Sequence, residues 1–117
     1  MAYEVLRAAA VARDLELIFD FLTEVAEGFG ESPDRAFALA EDRLAEIERA
    51  LDALGRAPHQ GTLRPHLGQA VRNVTKGRAV IYFDTDDDRR ILRVLAVFFG
   101  GQDHHSHILL RLLSGGP

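Results

Sequence analysis

The stretch Val71-Arg72-Asn73-Val74-Thr75-Lys76-Gly77-Arg78-Ala79-Val80-Ile81-Tyr82-Phe83-Asp84 and the run Ile91-Leu92-Arg93-Val94-Leu95-Ala96-Val97-Phe98-Phe99 decide the fold of this chain. Both are rich in β-branched and aromatic residues, which favour a pleated, half-buried backbone. Lys76-Gly77 divides the first stretch into two strands. The acidic segment from Asp84 to Arg89 turns the second strand into the third. Within the first strand Arg72 and Val74 share one face, and Val71, Asn73 and Thr75 share the other. The last strand is apolar almost throughout, so it reads as central and covered on both sides. Arg93 interrupts it and needs a carboxylate partner, within the chain or on another protein.

Upstream, residues 56–69 read as a loop punctuated by Pro58, Gly61, Pro65 and Gly68. Two helical stripes precede it. Val11, Leu15, Ile18, Leu22 and Val25 recur at gaps of three and four, and the pattern stops near Gly28 and Gly30. Ser32-Pro33-Asp34 opens the second helix: a capping hydroxyl, a proline whose missing N–H costs nothing there, and an acid at the positive end of the dipole. Its stripe is Phe37, Ala40, Leu44, Ile47, Leu51 and Leu54, with Gly55 as the expected stop. Tyr3 and Val5 alternate with polar neighbours and suggest a short first strand. After Phe99, Gly100-Gly101 forms an elbow and His104 to Leu113 reads as a short last helix. The expected fold class is α+β, in the order β-α-α-β-β-β(-α). An antiparallel helix hairpin covers one face of a small, mainly antiparallel sheet, and the C-terminal segment or a bound partner covers part of the other.

The bulk composition narrows the class. The 117 residues make one domain, 1–117, with an ordinary balance of 47% hydrophobic and 27% charged residues. No cysteine is present, which excludes a disulfide scaffold and thiolate-held zinc or iron–sulfur sites. No apolar run resembles a signal peptide or a membrane span, so a soluble, cytoplasmic protein is expected. The net charge of −4 argues against a protein that lives by gripping phosphates.

Few constellations carry chemistry. No nucleophile elbow and no phosphate-cradling loop occur. Asp84, Asp86 and Asp88 alternate as in a calcium loop, but Arg89 and Leu95 stand where that loop needs Gly and Glu. A solvated turn is the better reading. His104, His105 and His107 cluster, with His104 and His107 on one helical face. A metal site there would want a third ligand from Asp103, His59 or His66, which the spacing does not fix. An acid–base role and a polar cap over the sheet edge are the other readings, the cap being preferred; no metal or cofactor is expected. Arg72, Lys76, Arg78, Arg89, Arg90 and Arg93 form either a solvated rim with one structural ion pair or a surface for an anionic partner, RNA or acidic peptide.

Taken in order, the strand, the helix hairpin, Pro58-x-x-Gly61, Val71-Arg72, Gly77-Arg78-x-x-x-Tyr82, Ile91-x-Arg93-Val94 and Gly100-Gly101-Gln102-Asp103-His104 resemble the ParE/RelE superfamily of plasmid-stabilisation toxins, and the ParE branch more closely. That resemblance implies the toxin of a type II toxin–antitoxin pair, held in a hetero-oligomeric complex by a ParD-like, ribbon-helix-helix antitoxin. The antitoxin's C-terminal segment would wrap the toxin over the groove between hairpin and sheet, while its N-terminal domain alone contacts operator DNA. Arg72, Arg78 and Arg93 are then expected to face antitoxin carboxylates, with Phe98, Phe99 and Leu109 to Leu113, Leu113 included, as the apolar part. A ParE-like member poisons DNA gyrase without covalent chemistry of its own. A RelE-like member cuts messenger RNA on the ribosome; Arg72, Arg78, His104 and His107 would then carry catalysis. The family's C-terminal Arg and Tyr are absent here, which favours the gyrase reading.

Overall fold

The computed structural model describes residues 2–100 together with Ile108, Arg111 and Leu112. Five strands form one sheet: β1 (Glu4–Arg7), β2 (Thr62–Leu63), β3 (Val71–Lys76), β4 (Ala79–Asp86) and β5 (Ile91–Phe99). The spatial order is β1-β5-β4-β3-β2. β1 runs parallel to β5, and every other pair is antiparallel. Two helices, α1 (Ala10–Gly28) and α2 (Pro33–Ala53), lie between β1 and β2 in the chain.

Local chemistry explains the hairpin. Ser32 Oγ accepts the Arg35 N–H at 3.2 Å, with Pro33 at the first helical position, as expected of that sequence. α1 closes with paired reverse bonds, Gly30 N–H to the Glu27 carbonyl and Glu31 N–H to the Ala26 carbonyl. Gly30 sits at φ +96°, where a side chain would be strained. Gly55 departs from expectation. It is not a left-handed stop; α2 passes into a short 3₁₀ turn, Leu54–Arg56. A Cβ at Gly55 would collide with the Tyr3 carbonyl oxygen. The glycine is there so that β1 can lie against the end of α2, where Tyr3 N–H donates to the Gly55 carbonyl at 2.8 Å.

The helix-facing side of the sheet holds the main core. Ile81 and Phe83 of β4 and Leu92, Val94 and Val97 of β5 meet Val11, Leu15 and Ile18 of α1 and Ile47 and Leu51 of α2. The second face is also packed: Val71, Val80, Tyr82, Leu95, Ala96 and Phe98 are buried with Ile108, and Leu112 lies against them. Ile108 and Leu112 of the C-terminal segment therefore cover part of this face, as one of the two expected alternatives had it. β5 serves both cores through a register shift. Tyr82 pairs with Ala96 but Phe83 with Val94, leaving Leu95 as an extra residue. The bulge puts adjacent Leu95 and Ala96 on the second face, while Val94 and Val97 stay on the first.

Three further details differ from expectation. The loop 56–69 contains strand β2 and a 3₁₀ turn at Pro65–Leu67. β4 runs on through Asp86, so the acidic turn is confined to residues 87–90. Ala36, not Phe37, opens the buried stripe of α2; Phe37 is half exposed. The hairpin leaves the sheet behind at that end, and Leu17, Phe21, Val25, Phe29, Phe37 and Leu39 all remain substantially in solvent.

Candidate functional site

Two surfaces emerge from this packing, a groove on the hairpin side and a polar-lined second face of the sheet. The groove lies where the end of β1 meets α1 and α2, and encloses about 850 Å³. Ala8, Ala9 and Ala12, whose side chains end at Cβ, form part of its wall. Leu15, Phe19, Phe37 and Leu44 line it with apolar surface. Phe19 and Phe37 meet edge to face at 5.1 Å between centroids. Arg7 crosses the rim, donating to Glu48 at 3.0 Å and Asp52 at 3.3 Å and tying β1 to α2. Glu16 and Asp20 supply further acid. An apolar trough with a predominantly acidic rim suits a folded segment of another protein better than a phosphate chain.

On the second face, polar groups are held internally. Arg64 Nε donates to Asn73 Oδ1 at 3.0 Å, and Asn73 shares a hydrogen bond with the Tyr82 hydroxyl. Burial pushes the Tyr82 phenol upward, opposed by the nearby Arg64 charge and the Asn73 bond. Arg93 finds its carboxylate at home, on Asp84 directly across β4 at 3.1 Å. The deepest ion pair joins α1 to the C-terminal segment. Asp14, only 4% exposed, accepts both Arg111 guanidinium nitrogens at 2.6 and 2.8 Å. Asp14 also accepts the Val97 N–H at 3.0 Å, and Arg111 donates to the Leu95 carbonyl at 3.2 Å. These groups sit on the edge of β5 that β1, ending at Arg7, leaves unpaired. The bond to Asp14 raises the Arg111 pKa.

The residues singled out from the sequence are scattered rather than gathered. Arg72 is half-buried on the helix-facing side of β3, opposite Phe83. Arg93 lies on the other face. Arg78 is exposed beside the β3–β4 turn, its guanidinium 5.9 Å from the Phe99 ring centre. Those two are brought together. Phe98 is buried on the second face, edge-on to Tyr82 at 6.0 Å and beneath Arg111. Phe99 is buried on the first, near Phe21. His104, His107, Leu109 and Leu113 lie outside the described residues, as do Asp103 and His105. His59 pairs with Asp87 at 2.9 Å, and His66 sits in the 3₁₀ turn before β3. Among the described residues no three His, Asp or Glu side chains converge as a metal site.

Asp14 and Arg64 escaped the sequence reading. Asp14 shows there only as an acid inside the apolar stripe between Val11 and Leu15, a position that calls for a buried partner without naming it.

No protein-family model matches the chain, and no curated protein matches it either. Solved structures do. The free E. coli toxin RelE, in mutant form, superposes with a TM-score of 0.60 at 8% identity, over 97% of this chain and 99% of that one. The RelBE2 toxin–antitoxin complex of Mycobacterium tuberculosis matches at 0.53 and 19% identity, over 87% and 95%. The chromosomal ParDE toxin–antitoxin system of P. aeruginosa matches at 0.55 and 19% identity, over 84% and 96%. The matches run over most of this chain and nearly all of the others: the chain has the fold of the RelE/ParE toxins.

Proposed function

We propose that this protein is the toxin of a type II toxin–antitoxin pair, neutralised by a cognate ParD-like antitoxin, and that its target is DNA gyrase. The observation that carries the toxin reading is the whole-chain match to RelE, RelBE2 and ParDE structures. The apolar groove with its exposed aromatic rim supports a protein partner, since so much apolar surface is costly to leave in water. The antitoxin segment lies over the groove and wraps the sheet. Only a wrapping partner meets both Arg72 and Arg93, which stand on opposite faces. Arg78, Phe98, Phe99, Leu109 and Leu113 complete the proposed contact set. Operator DNA is reached through the antitoxin alone.

The gyrase reading is preferred to messenger cleavage because of how the second face uses its cations. Arg64, Arg93 and Arg111 are engaged by Asn73, Asp84 and Asp14. Tyr82 is buried with its phenol pKa raised, which suits it poorly to general base work. Cleavage of RNA needs free charge around a scissile phosphate.

The test is induction of the chain alone in bacteria, with pulse labelling of DNA and protein synthesis side by side. Growth arrest, rescued by the product of the adjacent short reading frame, is the expected result. Early loss of DNA synthesis with translation persisting fits gyrase. Early loss of translation would overturn that target and turn attention to Arg72, Arg78, His104 and His107. Unimpaired growth at high expression would count against the toxin reading itself.

A further inference from the structure

At the end of the sheet remote from the β4–β5 turn, the short β3–β4 turn approaches the middle of α2. Between them is a cleft of about 160 Å³. Ile47, Ala50 and Phe99 form its apolar floor, and Arg43, Lys76 and Arg78 its rim. Two guanidiniums, Arg43 and Arg78, each stand 5.9 Å from the Phe99 ring centre. The ring thus holds them in place by cation–π attraction.

The charge around this cleft is unbalanced. Glu46 is its one lining acid, and it already accepts from Arg43 at 3.2 Å. Among the described residues no carboxylate lies within ion-pair distance of Lys76 or Arg78. Lys76 and Arg78 thus stand together, without an acid partner among those residues, at the lip of one small cleft.

We infer that this cleft binds the carboxylate of an acidic side chain carried by a partner protein. Arg78 and Lys76 meet the charge, and the hydrocarbon of the incoming residue rests against the apolar wall of α2 at Ile47 and Ala50. An acidic peptide fits better than nucleic acid for two reasons. The cleft accommodates one group, not a backbone track. Two guanidiniums already stand over the Phe99 ring, so it offers no open platform for a base. The inference deepens the antitoxin reading and rests on it for the partner's identity, while the cleft chemistry can be tested separately.

The probe is a short fluorescein-labelled peptide alternating Leu and Glu, followed by anisotropy, against the same peptide with Gln for Glu and against a short labelled single-stranded RNA. The Glu peptide is expected to bind the wild-type chain. Lys76→Gln combined with Arg78→Gln should weaken it by about tenfold or more with an unchanged circular dichroism spectrum. Lys76→Arg should retain binding. Equal affinity for the double variant, no saturable binding of the Glu peptide, or RNA binding that the double variant abolishes would each overturn the inference. Peptide binding through Lys76 and Arg78 in a chain that neither arrests growth nor binds the adjacent frame's product would uphold the cleft and sink only the toxin reading.

Discussion

The sheet and the outer half of the helix hairpin are built to different rules. In the sheet, β4 and β5 are buried on both faces, and every buried side-chain polar atom among the described residues has a partner. In the hairpin, Phe29 is 87% exposed and Phe37 half exposed, and between the helices an apolar groove stays open. Self-sufficient packing marks one region, and exposed apolar surface on the helices marks the other.

The comparison makes predictions of decreasing size. Leu51 is fully buried at the sheet end of α2, so Leu51→Ala should cost about 2–5 kcal/mol, read by urea denaturation. A cost below about 1 kcal/mol would mean that the hairpin is not anchored there. Arg111→Ala strands the Asp14 carboxylate inside the protein and should cost about 3 kcal/mol. Amide exchange should rise at Val97, whose N–H shares that acceptor. Unchanged exchange at Val97 would show that the edge of β5 is held by other means. Ser32→Ala removes the cap of α2 and should cost about 1 kcal/mol, with the loss of helix confined to its first turn.

The smallest effect lies at the β4–β5 turn. Asp87 accepts from Tyr3 at 2.8 Å and pairs with His59, whose rings meet edge to face. The His59 bond, then the Tyr3 bond, lowers the Asp87 pKa, while the bond to Asp87 raises the Tyr3 phenol. A carboxylate whose folded pKa is depressed adds stability above its unfolded value and loses it as pH falls through the folded one. Asp87→Asn should therefore remove a small contribution at neutral pH and flatten the acid side of the profile, the two chains converging below roughly pH 4. Identical acid profiles for the two chains would mean that this cluster is only a surface contact.

How much of this was legible in the sequence depends on range. The Ser32-Pro33 start, the two-sided burial of β5 and the need of Arg93 for an acid are local matters, and residue chemistry sufficed for them. β2 has two residues and exists only because Thr62 and Leu63 pair with Asn73 and Arg72, so no periodicity announces it. The bulge at Leu95 depends on the register with β4, which neither strand specifies alone. Asp14 meets Arg111 across nearly the whole chain. The error at Phe37 is of another kind: the stripe gives the angle of the buried face but not how far along the helix the sheet extends. Site residues were harder still, because Arg72 and Arg93 look alike in sequence and stand on opposite sides of the sheet.

The most direct test of the division between the two regions is calorimetric titration of the adjacent frame's product into the wild-type chain and Phe37→Asp. The substitution sits at the groove rim, away from the sheet core. Denaturation should shift by about 0.5 kcal/mol or less, while affinity falls by about tenfold or more, the equivalent of ~1.4 kcal/mol. Equal affinity at equal stability would contradict the account, and would place the partner surface elsewhere than on the helices.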